Sequence, residues 1–192
     1  MTASSPKSLP SIGFLTIVDA QEQGLFGGYL VLNLVGRPLE FYCTAPVRPN
    51  RAQEILYGAT LKPFLFGEQI GQTLFKKSKL KPVAVCTDRE DALAVRDHIA
   101  TPVMLAADVR AGDESGQTAG RSHRLDDAHP TPSRLVRFEL AAQRVSVRRD
   151  FADDQRVIEA AWDPTAHDLD LNEPFERIRE AIDEARRAGK KS

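Results

Sequence analysis

The sequence predicts an α+β fold built on a mixed sheet, and three observations carry that prediction. Three apolar, β-branched and aromatic runs follow one another between Ile12 and Thr44, separated only by turn residues. A short strand, a helix-like stretch and another short strand then occupy residues 82–106. Finally, two alternating runs and an amphipathic stripe close the chain after residue 134. The first pattern reads as an antiparallel meander, because strand-forming runs joined by short polar turns pair with their neighbours. The second reads as a parallel β-α-β unit with a right-handed crossover. The third reads as a β-hairpin followed by a C-terminal helix.

Each element has a local cause. Residues 1–11 are polar, with Ser, Pro and one Lys, and read as a flexible arm. The 12–108 segment follows as an α+β core. In its first strand Ile12, Phe14 and Val18 occupy one face and Leu15 and Ile17 the other, as expected of an interior strand covered on both sides. The second strand repeats this with Leu30, Leu32 and Leu34 against Tyr29, Val31 and Val35. Gly36-Arg37-Pro38 turns the chain. The third strand alternates, and its pattern puts Leu39, Phe41 and Cys43 inward and Glu40, Tyr42 and Thr44 in water.

Asn50 is placed to cap a helix starting at Arg51, with Ala52, Ile55 and Leu56 on its apolar side. Gly58 interrupts it and Pro63 restarts it. Phe64, Leu65, Ile70, Leu74 and Phe75 extend a covering helix that ends in the basic run 76–81, where cations complement the helix dipole. Gly67 and Gly71, four apart, allow close helix packing. Thr87 and Glu90 fit a capping box, with Ala92, Val95 and Ile99 continuing that helix.

From 109 to 134 glycine, serine, threonine and proline displace apolar residues, which marks a flexible loop or linker. The 135–192 segment is a C-terminal extension expected to pack on the core. Its strands are Leu135–Leu140 and Arg144–Arg148, and a helix is preferred across 151–162. In the terminal helix Asn172 can cap, Phe175, Ile178, Ile182 and Ala185 make one stripe, and Asp183 and Arg187 form an i,i+4 pair.

Composition narrows the function classes. Of 192 residues 42% are hydrophobic and 28% charged, and the formal net charge is −1, which gives no support for broad electrostatic binding to nucleic acid or anionic membrane. Two cysteines cannot build a disulfide framework, and free thiols fit a cytoplasmic protein. No run is long enough to cross a bilayer, and the N-terminus lacks the apolar core of a signal peptide.

Candidate chemistry is sparse. Cys43 reads as a buried small hydrophobe. Cys86 ends a strand before a helix N-terminus, where the dipole can stabilise a thiolate, yet Asp88, Glu90 and Asp91 crowd the same turn. With Asp19 and Glu40, Cys86 and Asp88 are the weak catalytic candidates for a small hydrolase or nucleotide-processing enzyme acting at the strand ends. His98, His123, His129 and His167 have no partner at zinc spacing, and the acidic stretch around His167 lacks the spacing of a calcium loop, so no metal and no cofactor is expected. Gly24, Gly27 and Gly28 lack the Lys-Ser/Thr of a phosphate loop, and read instead as permitting a bulge or close strand packing. Arg144, Arg148 and Arg149, the lysines of 76–81, Tyr42 and Trp162 offer a weak case for a nucleic-acid-binding accessory protein. The leading expectation is a protein-interaction or regulatory module without a catalytic site, engaging a protein partner or a second subunit. Its expected contacts are Phe175, Ile178 and Ile182 of the terminal helix, with Arg144 and Arg148.

Overall fold

A computed structural model of the chain describes residues 10–106, 134–162 and 169–189. Residues 1–9 of the expected arm, most of the 109–134 linker, and His123, His129 and His167 lie outside the described residues, whereas Ser11, expected in the arm, is buried and opens the first strand. Within them the α+β fold has one seven-stranded mixed sheet. Strands β1 (Ser11–Asp19), β2 (Leu25–Asn33) and β3 (Pro38–Cys43) form the antiparallel meander. Strands β4 (Ala84–Thr87) and β5 (Val103–Ala106) run parallel to β1 on its other side. The hairpin β6 (Leu135–Leu140) and β7 (Gln143–Arg148) joins the same sheet, with β7 antiparallel to β5. The order is β3-β2-β1-β4-β5-β7-β6, which leaves β3 and β6 as edges.

The two-sided apolar patterns of β1 and β2 are explained by cores on both faces. One face packs Ile12, Phe14, Leu30, Leu32 and Cys86 against helix α5 (Glu173–Gly189) and α4 (Asp154–Ala161). The other packs Leu15, Tyr29, Val31 and Val85 against the helical layer between residues 61 and 97. That layer comprises the short turn α2 (Leu61–Pro63), a π-helical stretch Phe64–Gln72, α3 (Thr73–Lys77) and a 3₁₀ helix Glu90–Asp97. Gly67 sits where a Cβ would lie 2.7 Å from the Ala94 carbonyl carbon, so the π stretch and the 3₁₀ helix approach as closely as the glycine spacing suggests.

Gly27 and Gly28 have a different cause from the bulge or strand packing expected of them. They point to opposite faces, and a Cβ would collide with Ile70 on one and Ile178 on the other. Helices press on the sheet from both sides at this point, and the bulge lies instead between Val31 and Leu32.

Several local expectations change. Glu90–Asp97 is 3₁₀ rather than α, and Thr87 Oγ1 accepts from the Arg89 N–H instead of completing a capping box. Asp183 pairs with Arg186 at 2.8 Å rather than with Arg187. Strand β3 is turned over: Glu40, Tyr42 and Thr44 are half-buried, while Leu39, Phe41 and Cys43 are exposed. The reason is a polar anchor. Glu40 accepts from the Ser78 hydroxyl at 2.7 Å and from the Lys79 N–H, which draws its face beneath the helical layer.

The stripe Phe175, Ile178 and Ile182 is inside this chain's own core, each side chain at most 1% exposed. Phe14 and Phe175 meet edge to face at 5.6 Å. These side chains are therefore corrected from partner contacts to core residues.

Candidate functional site

The four groups suspected of catalysis do not assemble. Asp19, at the end of β1, is exposed and accepts from the Gln21 N–H at 2.9 Å, an ordinary turn contact. Glu40 is consumed by Ser78 and Lys79 on the far side of the sheet edge. Cys86 is completely buried among apolar neighbours. Burial, and then the nearby Asp88 charge, push its thiol far above the ordinary cysteine range, which is the reverse of an activated nucleophile. Asp88 follows β4 and is held by Arg179 of α5. Among the described residues no three His, Cys, Asp or Glu side chains converge as a metal site.

Of the basic candidates, Arg148 is held by carboxylates of its own chain. Arg148 binds Asp97 at 2.6 Å and Asp150 at 3.2 Å, and its guanidinium lies 5.1 Å from the Phe151 ring centre. Arg144 is exposed on β7 opposite Glu139 of β6. A cleft of about 470 Å³ adjoins Arg148, between Pro63, Leu93 and Leu135, but Asp97 and Asp150 on its wall are the partners of Arg148. A largely buried pair elsewhere is structural: Arg96 grips Asp154 with two hydrogen bonds of 2.7 and 3.0 Å, and Asp154 also accepts from the Val103 N–H.

The surface feature that stands out is helix α1 (Arg51–Tyr57). It is well made: Asn50 and Gln53 form a reciprocal capping box. Yet none of its residues is buried. Ile55 is 66% exposed and Leu56 81%. A seven-residue helix is marginal in water without packing on something. Its end is steadied by Tyr57 stacking on Phe64 at 4.2 Å between ring centres. On the same chain, edge strand β3 shows Leu39 and Phe41 at 43% and 40% exposure. Large apolar side chains left exposed on one short helix in this way point to an interaction surface.

A signal for α1 exists in the sequence. Ile55, Leu56 and Tyr57 are consecutive, and residues 100° apart on a helix cannot all turn to one core.

The fold and surface thus define the class: an α+β protein with one mixed sheet and a solvent-facing apolar helix. No family model and no curated protein matches the chain. No helix among the described residues is long and apolar enough to cross a membrane.

Proposed function

We propose that this chain is a cytoplasmic protein-docking module and that α1 is its contact element. The observation that carries the reading is a capped helix whose bulky residues Ile55 and Leu56 find no core of their own. Helix-in-groove recognition uses an apolar helix surface of this kind. The two free thiols agree with a reducing compartment. The hydrolase reading gains nothing from the geometry, because Asp19 and Glu40 are engaged separately and Cys86 is sealed.

The test is affinity capture from cells in which the chain is expressed, comparing the wild type with Leu56→Asp. The wild type should retain a stoichiometric protein, its own second copy included, which the variant loses while its thermal unfolding stays unchanged. Equal capture by both would reject α1 as the contact.

A further inference from the structure

Strand β6 ends the sheet, and among the described residues it pairs with β7 alone. An edge of this kind offers backbone N–H and C=O groups to any strand that can align with them, and folds usually blunt it. The opposite edge is blunted: β3 opens with Pro38, and its pairing with β2 is broken by the bulge between Val31 and Leu32. Strand β6 has neither device. Its register with β7 runs unbroken from Leu135 opposite Arg148 to Leu140 opposite Gln143.

The hairpin fixes which backbone groups point outward. Ala141 and Ala142, with φ of 48° and 61°, make a two-residue turn between Leu140 and Gln143. The residues flanking such a turn exchange hydrogen bonds, and every second residue along the strand does the same. Phe138, Val136 and Arg134 therefore turn their backbone groups toward β7. In the same phase, the Arg149 N–H donates to the Arg134 carbonyl at 2.8 Å. The N–H and C=O of Arg137 and Glu139 thus face away from the sheet. Both side chains are exposed, and neither forms an ion pair among the described residues.

These outward groups restrict how a second β6 can pair. Directly opposed residues of an antiparallel pair exchange bonds only when both turn their backbone groups outward. Arg137 can then oppose another Arg137, Glu139 another Glu139, or Arg137 can oppose Glu139. The first two set like charges against each other, which is destabilising, and the third sets unlike charges together. In that register the two-fold axis passes through Phe138, and Arg137 and Glu139 of each copy meet Glu139 and Arg137 of the other. Phe138 then opposes Phe138, and Val136 opposes Leu140, on the face that packs against α4 and α5. Phe138 and Val136 are only half-buried in one copy, and cross-strand aromatic and aliphatic pairs stabilise a sheet. The strand is complementary to itself in backbone, charge and apolar side chains.

We infer that β6 pairs antiparallel with β6 of a second copy of this chain, joining the two sheets across a two-fold axis at Phe138. This contact is separate from the docking role of α1 and does not rest on it.

Sedimentation velocity of the purified full chain, from low micromolar upward, tests this. The wild type should dimerise with rising concentration. Arg137→Glu and Glu139→Arg each make the opposed charges alike, and each should weaken the dimer by about tenfold. Both positions are exposed, and Arg137 stands opposite Ser146, so its reversal meets no charge on β7. Unchanged thermal unfolding verifies that the variants fold. An equimolar mixture of the two variants should regain a heterodimer, because an acidic strand then meets a basic one. Both changes in one chain should restore the homodimer, which a register opposing Arg137 to itself would not allow. Leu56→Asp should leave dimerisation unaltered. A monomeric wild type, a dimer indifferent to both reversals, or a mixture that regains nothing overturns the inference. If Leu56→Asp abolishes the dimer, α1 is the contact, and the β6 inference falls while the docking reading stands.

Discussion

Gly28 of β2 lies directly beneath Ile178 of α5, leaving no space for a Cβ between them. This contact makes the C-terminal helix a wall of the core. Gly28→Ala should destabilise the chain by about 1–3 kcal/mol through overpacking. A shifted urea midpoint with an unchanged slope checks it. Deleting residues 172–192 should collapse the core outright, as seen by loss of cooperative unfolding.

Arg96 and Asp154 hold the 3₁₀ helix, the start of β5 and α4 together. The Asp154 side chain is 6% exposed, so removing one partner strands a buried charge. Arg96→Ala, which leaves the Asp154 carboxylate buried without its partner, should cost about 3–5 kcal/mol, read from chemical denaturation. Exposed Arg51–Glu54, by contrast, should change stability little when either residue is replaced.

The two thiols should behave oppositely. Cys43 is exposed and Cys86 buried. A thiol reagent should label Cys43 alone in the native chain and both in denaturant, and Cys43→Ser should abolish native labelling. Labelling of Cys86 at the rate of Cys43 would contradict its burial.

Cys86 also sets a pH dependence. Its folded-state pKa is raised by burial and by Asp88. The unfolded chain releases this proton above about pH 8.5 while the folded chain retains it. Stability from this source is therefore complete below that pH and declines as pH rises further. Tyr29, raised by burial and by Glu40, adds a decline in the same direction at higher pH. Cys86→Ala should flatten the alkaline slope of stability measured between pH 8 and 10, whatever its effect at neutral pH.

The meander, the parallel unit, the hairpin and the terminal helix were legible because alternation and 3.6-residue spacing report which side chains share a face. They do not report which face is covered. Strand β3 carries Phe41 on one side and Tyr42 on the other, so its orientation was decided by Glu40 finding Ser78, a contact 38 residues away in sequence. Likewise the stripe Phe175, Ile178 and Ile182 reads identically whether it meets this chain or another. Gly28 settles the matter, because its missing side chain admits Ile178. Helix α1 was legible as a helix from Asn50 and misread as core-facing, since the spacing of Ala52, Ile55 and Leu56 resembles a buried stripe.

Hydrogen exchange at the backbone amides of α1 tests the central claim most directly. In dilute chain the amides of residues 54–57 should exchange fast while those of β1 stay protected, and protection of α1 should rise once the docked complex forms. Protection of α1 equal to that of β1 in the dilute monomer would contradict the claim, because the helix would then already be packed on its own chain.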